Sequence, residues 1–108
     1  MGVTVEAPAS SAAEANAALS VESVYPNPFN PSVTIRFAVK ATGRVNATIY
    51  DVAGRMVRDL ADRKFDAGSH ELQWKGDNQS DSPVGSGEYF LRLETDGYST
   101  TKRLVLLK

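Results

Sequence analysis

Tyr25-Pro26-Asn27-Pro28-Phe29-Asn30-Pro31-Ser32 is the stretch on which the reading of this chain turns. Each proline holds φ at about −65° and biases the residue before it, here Tyr25, Asn27 and Asn30, towards extended or polyproline geometry, so a helix is excluded. Proline also lacks an N–H donor, which bars the stretch from a central strand and predicts a path at a sheet edge or across a sheet end. Tyr25 and Phe29 are then the side chains available to anchor it on a core. Immediately after it, Val33-Thr34-Ile35-Arg36-Phe37-Ala38-Val39 alternates, with Val33, Ile35, Phe37 and Val39 on one face. That is the pattern of a half-buried strand.

Upstream the composition changes. Residues 3–20 are mostly Ala and Ser with few large side chains, too little apolar surface to offset the entropy of ordering them. Residues 1–20 therefore read as a flexible N-terminal linker, with Met1-Gly2 as an added start on a piece of a longer chain. A short helix over residues 12–19 is the alternative, because alanine favours helix and Ser10 or Ser11 could cap it, but an isolated helix of that length is marginal in water.

Downstream the chain reads as β-structure over residues 21–108. Residues 21–24 form a short strand into the proline stretch. Lys40-Ala41-Thr42-Gly43 turns the chain, and Val45, Ala47 and Ile49 share the inward face of the next strand. Asp51-Val52-Ala53-Gly54-Arg55 reverses it, with Gly54 suited to positive φ. In residues 56–60 the alternation breaks, with Met56 and Leu60 on one face and Val57 on the other, which predicts a bulge or an irregular edge. His70, Leu72 and Trp74 share a face, and Trp74 is the expected core centre. Residues 76–87 form a polar surface loop. Tyr89, Leu91 and Leu93 point inward in the following strand, and a last strand runs over 98–107. About seven short strands with Gly and Asp/Asn turns and no long helix predict an all-β, antiparallel β-sandwich, with a barrel close behind on patterning alone.

Composition narrows the function classes. The chain has 108 residues, 12 basic and 13 acidic side chains, a formal charge of −1 and no cysteine. It lacks the basic footprint of a nucleic-acid or anionic-membrane binder, any thiolate site, and any apolar run of the ~20 residues a membrane-spanning helix needs. Asp77, Asn78 and Asp81 are oxygen donors on one loop, but their spacing is not that of an EF-hand and no glutamate closes it, so a solvated turn is preferred to a calcium site. His70 has no nucleophile elbow to serve and reads as a structural histidine. Glu71, Glu88 and Glu94 read as solvent-facing charges, not as a glycosidase pair. No cofactor and no catalysis are expected. Tyr50, Phe90 and Tyr98, out of phase with the apolar face, are the candidates for a sugar-binding or protein-binding strip, although packing against loops explains them more cheaply.

Several blocks carry a family pattern. Residues 25–37, then Ile49-Tyr50-Asp51-Val52-Ala53-Gly54-Arg55-Met56-Val57-Arg58, then residues 68–74, then Pro83-Val84-Gly85-Ser86-Gly87-Glu88-Tyr89-Phe90-Leu91-Arg92-Leu93, and finally Lys102-Arg103-Leu104-Val105-Leu106-Leu107-Lys108 occur in this order. Over residues 21–108 the chain resembles the C-terminal type A sorting domain of the type IX secretion system, and is similar to the related Ig-like domain of flagellar hook-capping proteins. The resemblance implies an Ig-like β-sandwich that is not an enzyme. It directs a secreted multidomain protein of a Gram-negative bacterium by way of the periplasm to the cell surface or medium. The implied partners are an outer-membrane secretion translocon, a sortase-like peptidase acting upstream, and a cargo domain earlier in the full-length chain. An Ala/Ser tether and a strand-end lysine fit that arrangement.

For recognition, an exposed edge strand could pair with a partner by β-augmentation. Lys102, Arg103, Leu104, Val105, Leu106, Leu107 and Lys108 are the expected recognition residues, and Tyr25, Pro26, Asn27, Pro28, Phe29, Asn30 and Pro31 are the family motif. The plain alternative is a last core strand with lysines guarding its edge. Between its acidic residues and Pro83 the loop lacks the glycine expected of the family, which predicts a different turn. The rival readings are a cell-surface or carbohydrate-binding accessory module of a secreted enzyme, and a self-associating assembly domain.

Overall fold

The computed structural model describes residues 18–108, so the linker and short helix expected over residues 1–17 lie outside the described residues. Seven strands follow in order: β1 (Leu19–Tyr25), β2 (Val33–Val39), β3 (Gly43–Asp51), β4 (Met56–Phe65), β5 (Gly68–Trp74), β6 (Gly87–Thr95) and β7 (Tyr98–Leu106). They form two antiparallel sheets, β1-β2-β5 and β4-β3-β6-β7, packed face to face as an Ig-like sandwich.

Period-two alternation builds the core. Val33, Ile35, Phe37 and Val39 of β2 meet Val45, Ala47 and Ile49 of β3 and Tyr89, Leu91 and Leu93 of β6, all buried. Arg36, from the other face of β2, lies outside between Glu22 and Glu71, at 3.2 Å from each. Exposed pairs of this kind contribute ~0–1 kcal/mol each, so burial dominates.

Two strands depart from simple alternation. β1 starts at Leu19, which is fully buried, so Leu19 and Ser20 belong to the strand although the sequence reading begins it at Val21. Its register slips at Glu22, between the pairs Val21↔Phe37 and Ser23↔Arg36. The slip turns Val24 inward, and Tyr25 consequently points out and is 50% exposed. Tyr25 is thus no anchor, and Phe29 alone does that job.

β4 extends to Phe65, five residues past the expected end, and carries the expected irregularity twice. Its register with β3 jumps between Ala47↔Ala61 and Thr48↔Asp59, and again between Ile49↔Arg58 and Tyr50↔Met56. The extra residues are Leu60 and Val57, and each bulge turns its apolar side chain onto the core. Val57 and Leu60 therefore share the inner side and Met56 is exposed, which corrects the faces read from the sequence. At the far end of β4, Phe65 packs edge-on to Phe37 at 5.3 Å and His70 at 5.0 Å, with Arg63 over its ring.

Trp74 is fully buried and is the junction of three segments. Its ring lies 5.5 Å from Phe29 and 5.1 Å from Tyr89, and its indole N–H donates to the Asp77 carbonyl at 2.8 Å. Tyr89 donates its hydroxyl to the Gly85 carbonyl four residues upstream at 2.7 Å, which fixes the entry of β6; burial first, then the Asp51 charge, raise its pKa. At the β3–β4 turn Gly54 has φ of 83°, as its sequence position predicts.

Candidate functional site

The proline stretch and the last strand, read separately from the sequence, meet at one edge. β7 closes the four-stranded sheet and pairs with β6 from Gly87↔Leu106 to Thr95↔Tyr98 without a register shift. Its other side is the sheet edge. Val105 N–H donates to Asn27 Oδ1 at 2.9 Å and Val105 C=O accepts from Phe29 N–H at 2.8 Å, so Val105 turns both backbone groups away from β6. By alternation Ser99, Thr101, Arg103 and Leu107 do the same.

Residues 27–29 act as a plug on that edge. The Asn27 amide also donates to the Arg103 carbonyl at 3.0 Å, and Phe29 C=O accepts from Leu107 N–H at 3.0 Å. Phe29 and Leu106 thereby form a parallel bridge, which cannot extend past Phe29 because Pro31, the next residue placed to donate to β7, has no N–H. A side-chain amide replaces one residue of backbone, and the Phe29 ring, 2% exposed, locks the plug onto Trp74. Beneath it Gly76 has φ of 68°, and a Cβ there would stand 3.2 Å from the Pro31 carbonyl and 3.4 Å from Leu106, so the approach requires glycine.

Within the expected recognition segment the side chains divide. Leu104 and Leu106 are fully buried and Val105 is half-buried, whereas Lys102, Arg103, Leu107 and Lys108 are exposed. In the motif Phe29 is buried, while Tyr25, Pro26, Asn27, Pro28, Asn30 and Pro31 are exposed.

The loop between β5 and β6 is held from β4. Arg58 Nη1 reaches Asp81 at 2.8 Å, Asp77 at 3.4 Å and the Asn78 carbonyl at 2.6 Å, and these carboxylates raise its pKa further. The three candidate calcium donors thus already surround a guanidinium. Asn78 Oδ1 accepts from the N–H groups of Ser80 and Ser82, and Gln79 Oε1 accepts from Asp59 N–H on the outer edge of β4 at 2.8 Å. Asp81, at φ of 64°, is the non-glycine described residue with positive φ. An aspartate therefore supplies the left-handed turn that the missing glycine would have eased.

A family model for the secretion system C-terminal sorting domain matches residues 23–107. The chain belongs to this family. Among solved structures, the sorting domain is similar to dimeric latent PorU from Porphyromonas gingivalis, at 24% identity and a TM-score of 0.68, over 84% of this chain and 10% of that one. PorZ, described as an essential bacterial surface component of the type-IX secretion system of the same organism, matches at 26% identity and a TM-score of 0.57, over 91% of this chain and 12% of that one. FlgD from Xanthomonas campestris shares the fold at 21% identity and a TM-score of 0.56, over 82% of this chain and 62% of that one. The chain thus spans about a tenth of PorU and PorZ. A search of curated proteins found no match. The chain is a type IX secretion sorting domain with an Ig-like fold.

Elsewhere in the sorting domain the other candidates are spoken for. His70 Nε2 lies 2.6 Å from the Asp66 carbonyl, and its ring packs on Phe37 and Phe65. Glu71, Glu88 and Glu94 pair with Arg36, Arg103 and Arg92 respectively. Among the described residues no three His, Cys, Asp or Glu gather to hold a metal, and no helix is long and apolar enough to cross a membrane. Tyr50 and Phe90 are cross-strand partners on the outer face, but Tyr98 packs against the core, in phase with Leu104 and Leu106, so the three do not form one strip. The plug's pairing with β7, the Arg58 clamp and the role of Phe65 were absent from the sequence reading. Only for Phe65 was there a local signal, an isolated aromatic just before the Asp66-Ala67-Gly68 turn.

Proposed function

We propose that this chain is a non-catalytic address label. It directs a multidomain cargo lying upstream from the periplasm through the type IX secretion system to the cell surface or medium. The outer-membrane translocon reads the edge formed by residues 102–108 and 25–31, and a sortase-like peptidase acts on the chain upstream of the domain, before β1 begins at Leu19. Family membership supports the sorting role. The observation that carries the choice of surface is that the two motifs are joined by hydrogen bonds from Asn27 and Phe29 to Arg103, Val105 and Leu107.

The test is a display assay in a host with the type IX machinery, with residues 3–108 fused behind a signal peptide and a fluorescent cargo. Deleting residues 102–108 would remove buried Leu104 and Leu106 and unfold the domain, so exposed positions are the informative ones. Cargo should reach the surface with the native sequence and fall several-fold with Lys102→Glu combined with Leu107→Asp, while the melting temperature changes little. Equal display of both would exclude this edge as the address, and periplasmic retention of the native fusion would exclude the sorting reading.

A further inference from the structure

Four outward backbone groups of β7 and the residue that follows it, Arg103 C=O, Val105 N–H, Val105 C=O and Leu107 N–H, are answered by one side-chain amide and one residue of main chain. That is the smallest cover that satisfies them. Next in line on the same edge, Ser99 and Thr101 receive no hydrogen bond from another segment among the described residues. The plug does not grow along the strand to reach them, because the chain just before it is committed to β1, where Tyr25 pairs with Thr34 of β2. The edge is otherwise regular, and a regular edge is a template for strand addition.

We propose that the plug is a removable placeholder and that the outer edge of β7 is a latched strand-addition site. Its occupant is an extended segment of a protein partner that displaces residues 27–29. The identity of the partner as part of the secretion machinery rests on the sorting reading, whereas the latch does not. The chemistry of the segment follows from what it replaces. Its main chain supplies the donors and acceptors now drawn from Asn27 and Phe29 and continues past them to Thr101 and Ser99. One bulky apolar side chain, best an aromatic, fills the place of Phe29 against Trp74 and Leu106. Acidic residues suit the exposed Lys102 and Lys108 on either side. The plug is tethered, and a tethered segment competes at an effective concentration in the millimolar range. A displacing strand must therefore make more bonds than the plug, and the open stretch at Ser99 and Thr101 offers them.

Amide exchange on the chain tests whether the latch opens by itself. Val105 and Leu107 should exchange at least tenfold faster than Leu91 and Leu93 of the sheet interior, since sub-global openings lie below global unfolding. Asn27→Ala should quicken Val105 roughly fivefold more, the scale of one net hydrogen bond, and leave Leu91 and Leu93 within a factor of two. Exchange of all four amides at one common rate would overturn the proposal.

A staple tests whether opening is needed. The parallel bridge Phe29↔Leu106 sets Asn30 beside Leu107, both exposed, and the described residues contain no cysteine. Asn30→Cys with Leu107→Cys should close a disulfide over the latch. In the display assay the oxidised, stapled fusion should be retained in the periplasm, and the same fusion should reach the surface several-fold more when a thiol reductant opens the disulfide. Equal display in both states overturns the latch and leaves the sorting reading standing. Retention of the native fusion as well removes the sorting reading, and the exchange rates then decide the latch alone.

Discussion

The two edges of the four-stranded sheet solve one problem by opposite means. β4 is bulged at Val57 and Leu60 and rich in charge, and a single amide, that of Gln79, takes up its Asp59 N–H. β7 runs in unbroken register and is stopped by the plug, where the Asn27 amide takes up both a donor and an acceptor. A bulged edge is refused to any strand permanently, because its backbone groups are out of step. A straight edge under a cover is refused only while the cover stays. The difference assigns the guarding of the fold to β4 and leaves β7 for exchange.

Trp74 supports both edges, through Phe29 to the plug and through Asp77 to the loop that carries Gln79. Trp74→Ala should therefore erase the contrast, lowering stability by about 3–5 kcal/mol in denaturant unfolding and exposing both edges to exchange together. Phe29→Ala should be nearly as costly, about 3 kcal/mol, yet one-sided: Val105 and Leu107 amides lose protection while Asp59 keeps its own. The converse is Arg58→Met, which releases the 76–82 loop from Asp77 and Asp81 and should cost about 2 kcal/mol while quickening exchange at Asp59 and leaving Val105 unchanged. Asn27→Ala sharpens the β7 side alone, at about 1 kcal/mol, with Phe29 still seated.

The smallest effect lies at the turn joining β3 to β4. Asp51 accepts from the N–H groups of Arg55 and Ala53 and pairs with the Arg55 side chain. The Arg55 backbone bond leads the causes that hold its pKa below the ordinary 3.8. A carboxylate with a depressed folded pKa stabilises the fold above the unfolded value, and that contribution fades as pH falls through the folded pKa. Acid titration of the native chain and Asp51→Asn should show a small stability gap at neutral pH that closes below about pH 4. A gap that is constant with pH would sink the assignment.

Most of the fold was legible because alternation is local. Val33, Ile35, Phe37, Val45, Ile49, Leu91 and Leu93 declared their face within a few residues, and the break at Val57 announced a bulge. Its sense was hidden, since two bulges close together restore the phase that one would invert. Tyr25 misled for the same reason, through the slip at Glu22. The site was legible as two pieces and illegible as one. Asn27 reaches Arg103 and Val105 across 76 and 78 residues of sequence, and nothing in an Asn between prolines says which strand its amide will serve. The Arg58 clamp was hidden likewise, because acidic loop residues look the same whether a metal or a guanidinium sits among them.

The register that puts Leu19 beside Val39 also puts Tyr25 beside Thr34, so β1 enters at one end of the sandwich while β7 finishes at the other, beside the plug. A seven-residue strand separates these ends by roughly 20–25 Å. A load hung on the chain before residue 18 and a grip on residues 105–107 would therefore pull lengthwise. Ladder hydrogen bonds lie across the strands, so such a pull strains whole rows of them in shear at once instead of peeling them singly. Lengthwise is thus the direction in which the two sheets give least.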